Sequence, residues 1–147
     1  LGAAVFHQGK MIGKLSSEEF LYCKILSGGK QAFPYSIDHQ TVGLTTLGSP
    51  SITMNLNSDP IQIDIALRFS IVSSSRSVQI PRLENALKKS VLRSIDTCRK
   101  LKSEPFDFAE IAAGHFLTVA DWEAFDWNSQ FLKSDIHVNV KVHDSKS

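Results

Sequence analysis

The chain has 147 residues, 42% of them hydrophobic and 21% charged, which is enough for one core that folds without a metal or disulfide staple. Sixteen Lys and Arg against fifteen Asp and Glu leave a formal net charge of +1, excluding the cationic excess of a protein that tracks a phosphate backbone. No window approaches the roughly 18 consecutive apolar residues that cross a bilayer, and no basic, apolar and cleavage-site succession opens the chain, so it reads as a soluble piece.

In chain order, Ala4-Val5-Phe6 and Met11-Ile12 flank the turn-like His7-Gln8-Gly9-Lys10, a short hairpin. Ser16 with Glu19 three positions on makes a capping box, and Leu15 can pack on Phe20 as a hydrophobic staple. The helix so started runs over Glu18 to Leu26 and ends at Ser27-Gly28-Gly29, where glycine takes the left-handed conformation. From Gln31 to Asn57 the period is two: Phe33, Tyr35 and Ile37, then Val42 and Leu44, then Ile52, Met54 and Leu56, broken by Asp38-His39 and Gly48-Ser49-Pro50. After Pro60, Ile61, Ile63, Ile65, Leu67, Phe69 and Ile71 alternate with polar or small residues. That strand, near 40 Å long at ~3.4 Å per residue, must bend, bulge or serve as the spine of a sheet.

A sheet with one apolar face needs a cover, and Pro81 to Leu101 supplies it. Leu83, Leu87, Val91, Ile95 and Cys98 recur at helical spacing, while Lys88, Lys89, Arg93, Arg99 and Lys100 occupy the other side and Glu84 can pair with Lys88. The basic stripe reads as the ordinary charged face of a surface helix. Two short helices follow. Asp107 caps the first, with Glu110 as box partner, Phe106 facing Ile111 and Gly114 ending it; Thr118 caps the second, with Asp121 in the box and Leu117 facing Trp122. The second helix is acidic, which excludes a DNA-reading pair. A last strand alternates Ile136, Val138, Val140 and Val142 with His137, Asn139, Lys141 and His143.

Reactive chemistry is sparse. The chain has no phosphate-binding glycine loop, no G-x-S-x-G and no H-E-x-x-H. Asp107, Glu110 and His115 surround one short helix and are the closest approach to a catalytic group, but capping already accounts for both acids. His137 and His143 share a strand face at ~20 Å, too far apart for one metal. Trp122, Phe125, Trp127 and Phe131 read as packed core rather than a binding platform. Cys23 and Cys98 are too few and too separated for a disulfide framework, and read as small buried hydrophobes. No catalytic, cofactor-binding or metal residue is therefore assigned.

Two stretches resemble a known family. Gly2-Ala3-Ala4-Val5-Phe6 followed by Lys10-Met11-Ile12-Gly13-Lys14-Leu15 and Glu18-Glu19 resembles the start of the C-terminal domain of the Ger(x)C, GerAC-like spore-germination lipoproteins, the C subunits of germinant receptors. Ser103-Glu104-Pro105-Phe106-Asp107-Phe108-Ala109-Glu110, then Trp127, Phe131 and the strand Ile136 to Val142, is similar to that family's acidic and aromatic segment leading into a terminal Val-rich strand. The chain departs from the pattern at Ala109, where a glycine is expected, at Leu132, where a proline is usual, and in the short spacing from Trp122 to Trp127.

The resemblance implies a non-enzymatic subunit domain, residues 1–147, from the C-terminal part of a longer lipoprotein. A start at Leu1-Gly2-Ala3-Ala4 without an initiator Met suits an excised or processed piece. It further implies a lipid anchor at the outer face of the spore inner membrane, two integral membrane partners (the A and B subunits), a role in receptor assembly or signalling, and no cofactor. The alternative is a module that itself binds the small-molecule germinant in a cleft between sheet and helices. The expected fold is α+β: a curved, mostly antiparallel sheet covered by one long amphipathic helix and three shorter helices.

Overall fold

A computed structural model describes residues 2–7, 10–100 and 108–144, with backbone alone for 2–7 and 10–17. The hairpin forms as expected: β1 (Gly2–His7) pairs antiparallel with β2 (Lys10–Ser16), with a register shift between Val5 and Phe6. The chain then enters α1 (Ser17–Leu26) directly. The capping contact at Ser16 and the Leu15 staple lie outside the described side chains; Phe20 is exposed, with Lys24 Nζ 4.6 Å from its ring centroid. The helix stops as the glycines require. Gly28 sits at φ +92, its N–H donates to Ile25 O at 3.0 Å, and Gly29 N–H donates to Lys24 O at 2.9 Å, the paired bonds of a Schellman ending.

Five strands build the main sheet: β3 (Ala32–Ile37), β4 (Gln40–Thr46), β5 (Ser51–Asn55), β6 (Gln62–Ser73) and β7 (Asp135–Asp144). Asp38 and His39, at φ 51 and 62, make the two-residue turn whose twist suits the β3–β4 hairpin. The long strand β6 is the spine. Along one edge it pairs antiparallel with β5 through Gln62–Ala66 and with β4 through Phe69–Ser73; along the other it pairs parallel with β7 from Gln62↔Asp135 to Ile71↔Asp144. It also bulges, because Gly43↔Ser73 is followed by Leu44↔Ile71 and leaves Val72 between them without a partner in the ladder.

Alternation decides which face is buried. Ile63, Ile65, Leu67, Phe69 and Ile71 of β6, with Val138, Val140 and Val142 of β7, enter the core, and α2 (Ile80–Lys100) closes over them with Leu83, Leu87, Val91, Ile95 and Cys98. Each such side chain contributes roughly 1.5–3 kcal/mol when fully buried. Ser90 and Ser94 lie on the same buried stripe, and Ser94 Oγ donates to Ser90 O at 3.0 Å. Two assignments on α2 change. Glu84 does not serve Lys88: its Oε2 accepts Val142 N–H at 2.9 Å, capping part of the outer edge of β7. Arg99 is half-buried rather than part of the wet stripe, donating to Ser134 O at 2.6 Å and to Ser134 Oγ at 3.1 Å.

The crossover to β7 continues through α3 (Phe108–Ala113), α4 (Val119–Phe125) and α5 (Trp127–Lys133). Asp107 and Phe106 lie outside the described residues, so that cap and staple are not described. Gly114 ends α3 without a left-handed φ, its N–H donating to Glu110 O at 3.2 Å. Thr118 caps α4 as read, Oγ1 accepting Asp121 N–H at 3.1 Å. Leu117 is no staple, being 98% exposed. Its place beside Trp122 is taken by Phe116, with ring centroids 5.6 Å apart. The fold class is the expected α+β one, with a fourth short helix, α5, added. Asp126, at φ 55, ends α4 and starts α5 without a side-chain cap, so α5 carries no capping signature. α5 runs through Leu132 to Lys133.

Candidate functional site

The largest feature left open is the other face of the sheet. The register aligns its outward residues in rows across the strands: Asn55, Gln62 and Asp135; then Thr53, Asp64 and His137; then Ser51, Ala66 and Asn139. Further along, Arg68 lies beside Lys141, and Ala32, Thr45, Ser70 and His143 form a row over four strands. Most of these side chains are exposed, and no described helix covers them. Within the platform His137 Nε2 lies 3.1 Å from Asp135 Oδ2, an exposed contact. The surface is small, polar and of mixed charge, suited to hydrogen bonding with a broad partner.

A second feature is a groove of about 500 Å3 between α1, β3 and α2. At its floor Tyr35 and Ser90 share a hydrogen bond of 3.1 Å between hydroxyls, and the buried Tyr22 points to the same place. Burial pushes the Tyr22 hydroxyl well above the ordinary tyrosine range, with Tyr35 and Glu18 adding to the effect and the hydrogen bond to Ser90 and the charge of Arg93 opposing it. Glu18 and Arg93, both exposed, stand at the rim. No motif or spacing in the sequence marks this group. Its signal was present in Ser90, a hydroxyl on the apolar stripe of α2 that requires a partner.

The residues singled out for chemistry do not converge. Glu110 and His115 are both exposed, and Asp107 lies outside the described residues. His115 does line a shallow hollow of about 340 Å3, in company with Asn55, Asn57, Phe116 and Phe125 rather than with an acid. No group of three potential metal ligands occurs among the described residues. The aromatic cluster grades from surface to core: Trp122 and Phe125 are half-buried, Trp127 stacks on Trp122 at 6.2 Å, and Phe131 carries the series inward to Phe108 at 6.4 Å. Trp127 and Phe131 are thus core, as read.

The description "Spore germination B3/GerAC like, C-terminal" matches residues 1–145. The chain belongs to that family. The resemblance carried by the hairpin and the terminal strand is therefore correct, and the match extends across every described element of the fold. The family's fold is seen again in the crystal structure of the GerBC protein, which is similar with a TM-score of 0.77 at 14% identity over 98% of this chain. The chain covers 51% of the GerBC chain, so it corresponds to about half of that protein. No curated protein matches. None of the described helices is long and apolar enough to cross a membrane.

Proposed function

We propose that the chain is the C-terminal domain, residues 1–147, of a spore-germination lipoprotein and acts without catalysis in assembling or signalling within a germinant receptor. Its partners in this reading are the integral membrane A and B subunits, met at the outer face of the spore inner membrane, with a lipid anchor elsewhere in the parent protein. Membership of the GerAC-like family supports the setting. The observation that carries the role is the open face of the five-stranded sheet, three to four strands across, whose outward residues stand in aligned rows over a core closed by α2. Strands hydrogen-bonded into one sheet beneath such residues form a rigid platform that loses little freedom on binding.

Deleting this domain while keeping the anchor is expected to abolish receptor assembly or germination. A finer test blocks the platform alone. Ala66→Arg with Asn139→Glu, at paired exposed positions and of opposite charge, should leave the folded stability within about 1 kcal/mol and prevent co-purification with the membrane subunits. Normal assembly with the platform so blocked would refute the reading.

The groove of Tyr22, Tyr35 and Ser90 supports a second reading, in which the domain receives a small polar germinant between Glu18 and Arg93. Calorimetric titration with candidate germinants separates the two. Heat that disappears in Ser90→Ala supports the groove, and silence supports the platform.

A further inference from the structure

Cys23 on α1 and Cys98 on α2 are 75 positions apart in sequence, yet their sulfurs meet at 4.0 Å. Both are reduced thiols buried in the seam between the two helices, Cys23 at 4% exposure and Cys98 at 0%. Bonded sulfurs lie about 2.05 Å apart, so an approach of about 2 Å separates the pair from a disulfide. We propose that Cys23 and Cys98 form a modification site, oxidised by exchange with a small-molecule disulfide to an intramolecular bond that staples α1 to α2.

The step balances as a thiol–disulfide exchange. The Cys23 thiolate attacks one sulfur of the small disulfide, whose S–S bond breaks and releases one thiolate. Cys98 then loses its proton and attacks the Cys23 sulfur of the mixed disulfide, releasing the second. Two protein thiols are oxidised and one small disulfide is reduced to two thiols. Cys23 is the first attacker because it is the less buried of the two. In addition, the contact with Cys98 lowers its pKa, against the opposing effects of burial and Glu19. Burial of both sulfurs makes the folded protein slow to react, so the bond forms as the helices first dock. A cross-link between positions this distant restricts the unfolded chain strongly, which is where its stabilisation arises.

The test refolds the purified protein in mixed oxidised and reduced glutathione, blocks remaining thiols with iodoacetamide and digests with trypsin without reduction. Trypsin releases Cys23 in peptide 15–24 and Cys98 in peptide 94–99. The expected product is these two peptides linked, about 2 Da below their summed masses, from a protein whose Tm is about 5–10 °C above that of the reduced form. Cys23→Ala and Cys98→Ala should each remove both signals and make Tm indifferent to reductant. If either variant does not fold, the unsubstituted protein with and without reductant decides alone. Alkylated or singly glutathionylated cysteines after refolding, a link only between separate chains, or an unchanged or lowered Tm in the linked form would each overturn the proposal.

Discussion

Single residues in this protein are governed by what lies across from them rather than beside them. Tyr22 is 1% exposed, and burial raises its pKa above the ordinary value near 10. Because the folded state holds that proton more tightly than the unfolded chain, the contribution is fully present below about pH 10 and is lost as the pH rises toward the folded-state value. The loss runs at about 1.4 kcal/mol per pH unit for one proton. Tyr22→Phe is therefore expected to flatten the alkaline limb of a stability–pH curve measured by urea unfolding, and an identical limb in both proteins would contradict the assignment. Glu84 behaves in the same non-local way. Its carboxylate accepts from Val142, 58 positions away, so Glu84→Ala should cost about 1–2 kcal/mol, read as a lower urea midpoint at unchanged m-value. Glu84→Gln, which keeps an acceptor oxygen, should recover most of it.

At the scale of elements, ends are set by local chemistry and faces by packing. The α4 start illustrates both. Thr118 makes its bond to Asp121 N–H, so Thr118→Ala is expected to cost about 1 kcal/mol, whereas Leu117→Ser, at a position 98% exposed, should change stability by less than about 0.5 kcal/mol. A thermal melt of the two variants decides whether the cap or the staple starts the helix. The Thr118 cap was legible because a Thr followed three positions on by Asp is a short-range pattern. The helix α5 was not, because Asp126 enters it at φ 55 with no side-chain bond to the first turn, and its apolar residues were already accounted for by aromatic packing. The strands of the main sheet were legible by their period of two, and the β1–β2 hairpin by the turn between its strands. The direction of β7 was not, since a parallel neighbour has the same alternation as an antiparallel one.

For the whole molecule, β6 is the element on which the others depend, bonded to β4 and β5 along one edge and to β7 along the other. Ile65, fully buried at its middle, faces α2. Ile65→Ala should cost about 2–5 kcal/mol and lower the far-UV dichroism and tryptophan fluorescence transitions together, because Trp122 and Trp127 sit on the crossover that delivers β7 to this same spine. Separate midpoints for the two probes would show that the crossover helices melt independently of the sheet. The sequence by itself determined every described element but α5, the start of α4, the glycine stop of α1 and the family, since periodicity, capping pairs and glycine stops act over a few residues. Only the tertiary structure decided that the outward rows of β5, β6 and β7 form one open platform, that Ser90 meets Tyr35, and that Cys23 meets Cys98. The physical reason is distance along the chain. Those contacts join residues tens of positions apart, and strand order, parallel or antiparallel, leaves no trace in the pattern of any one segment.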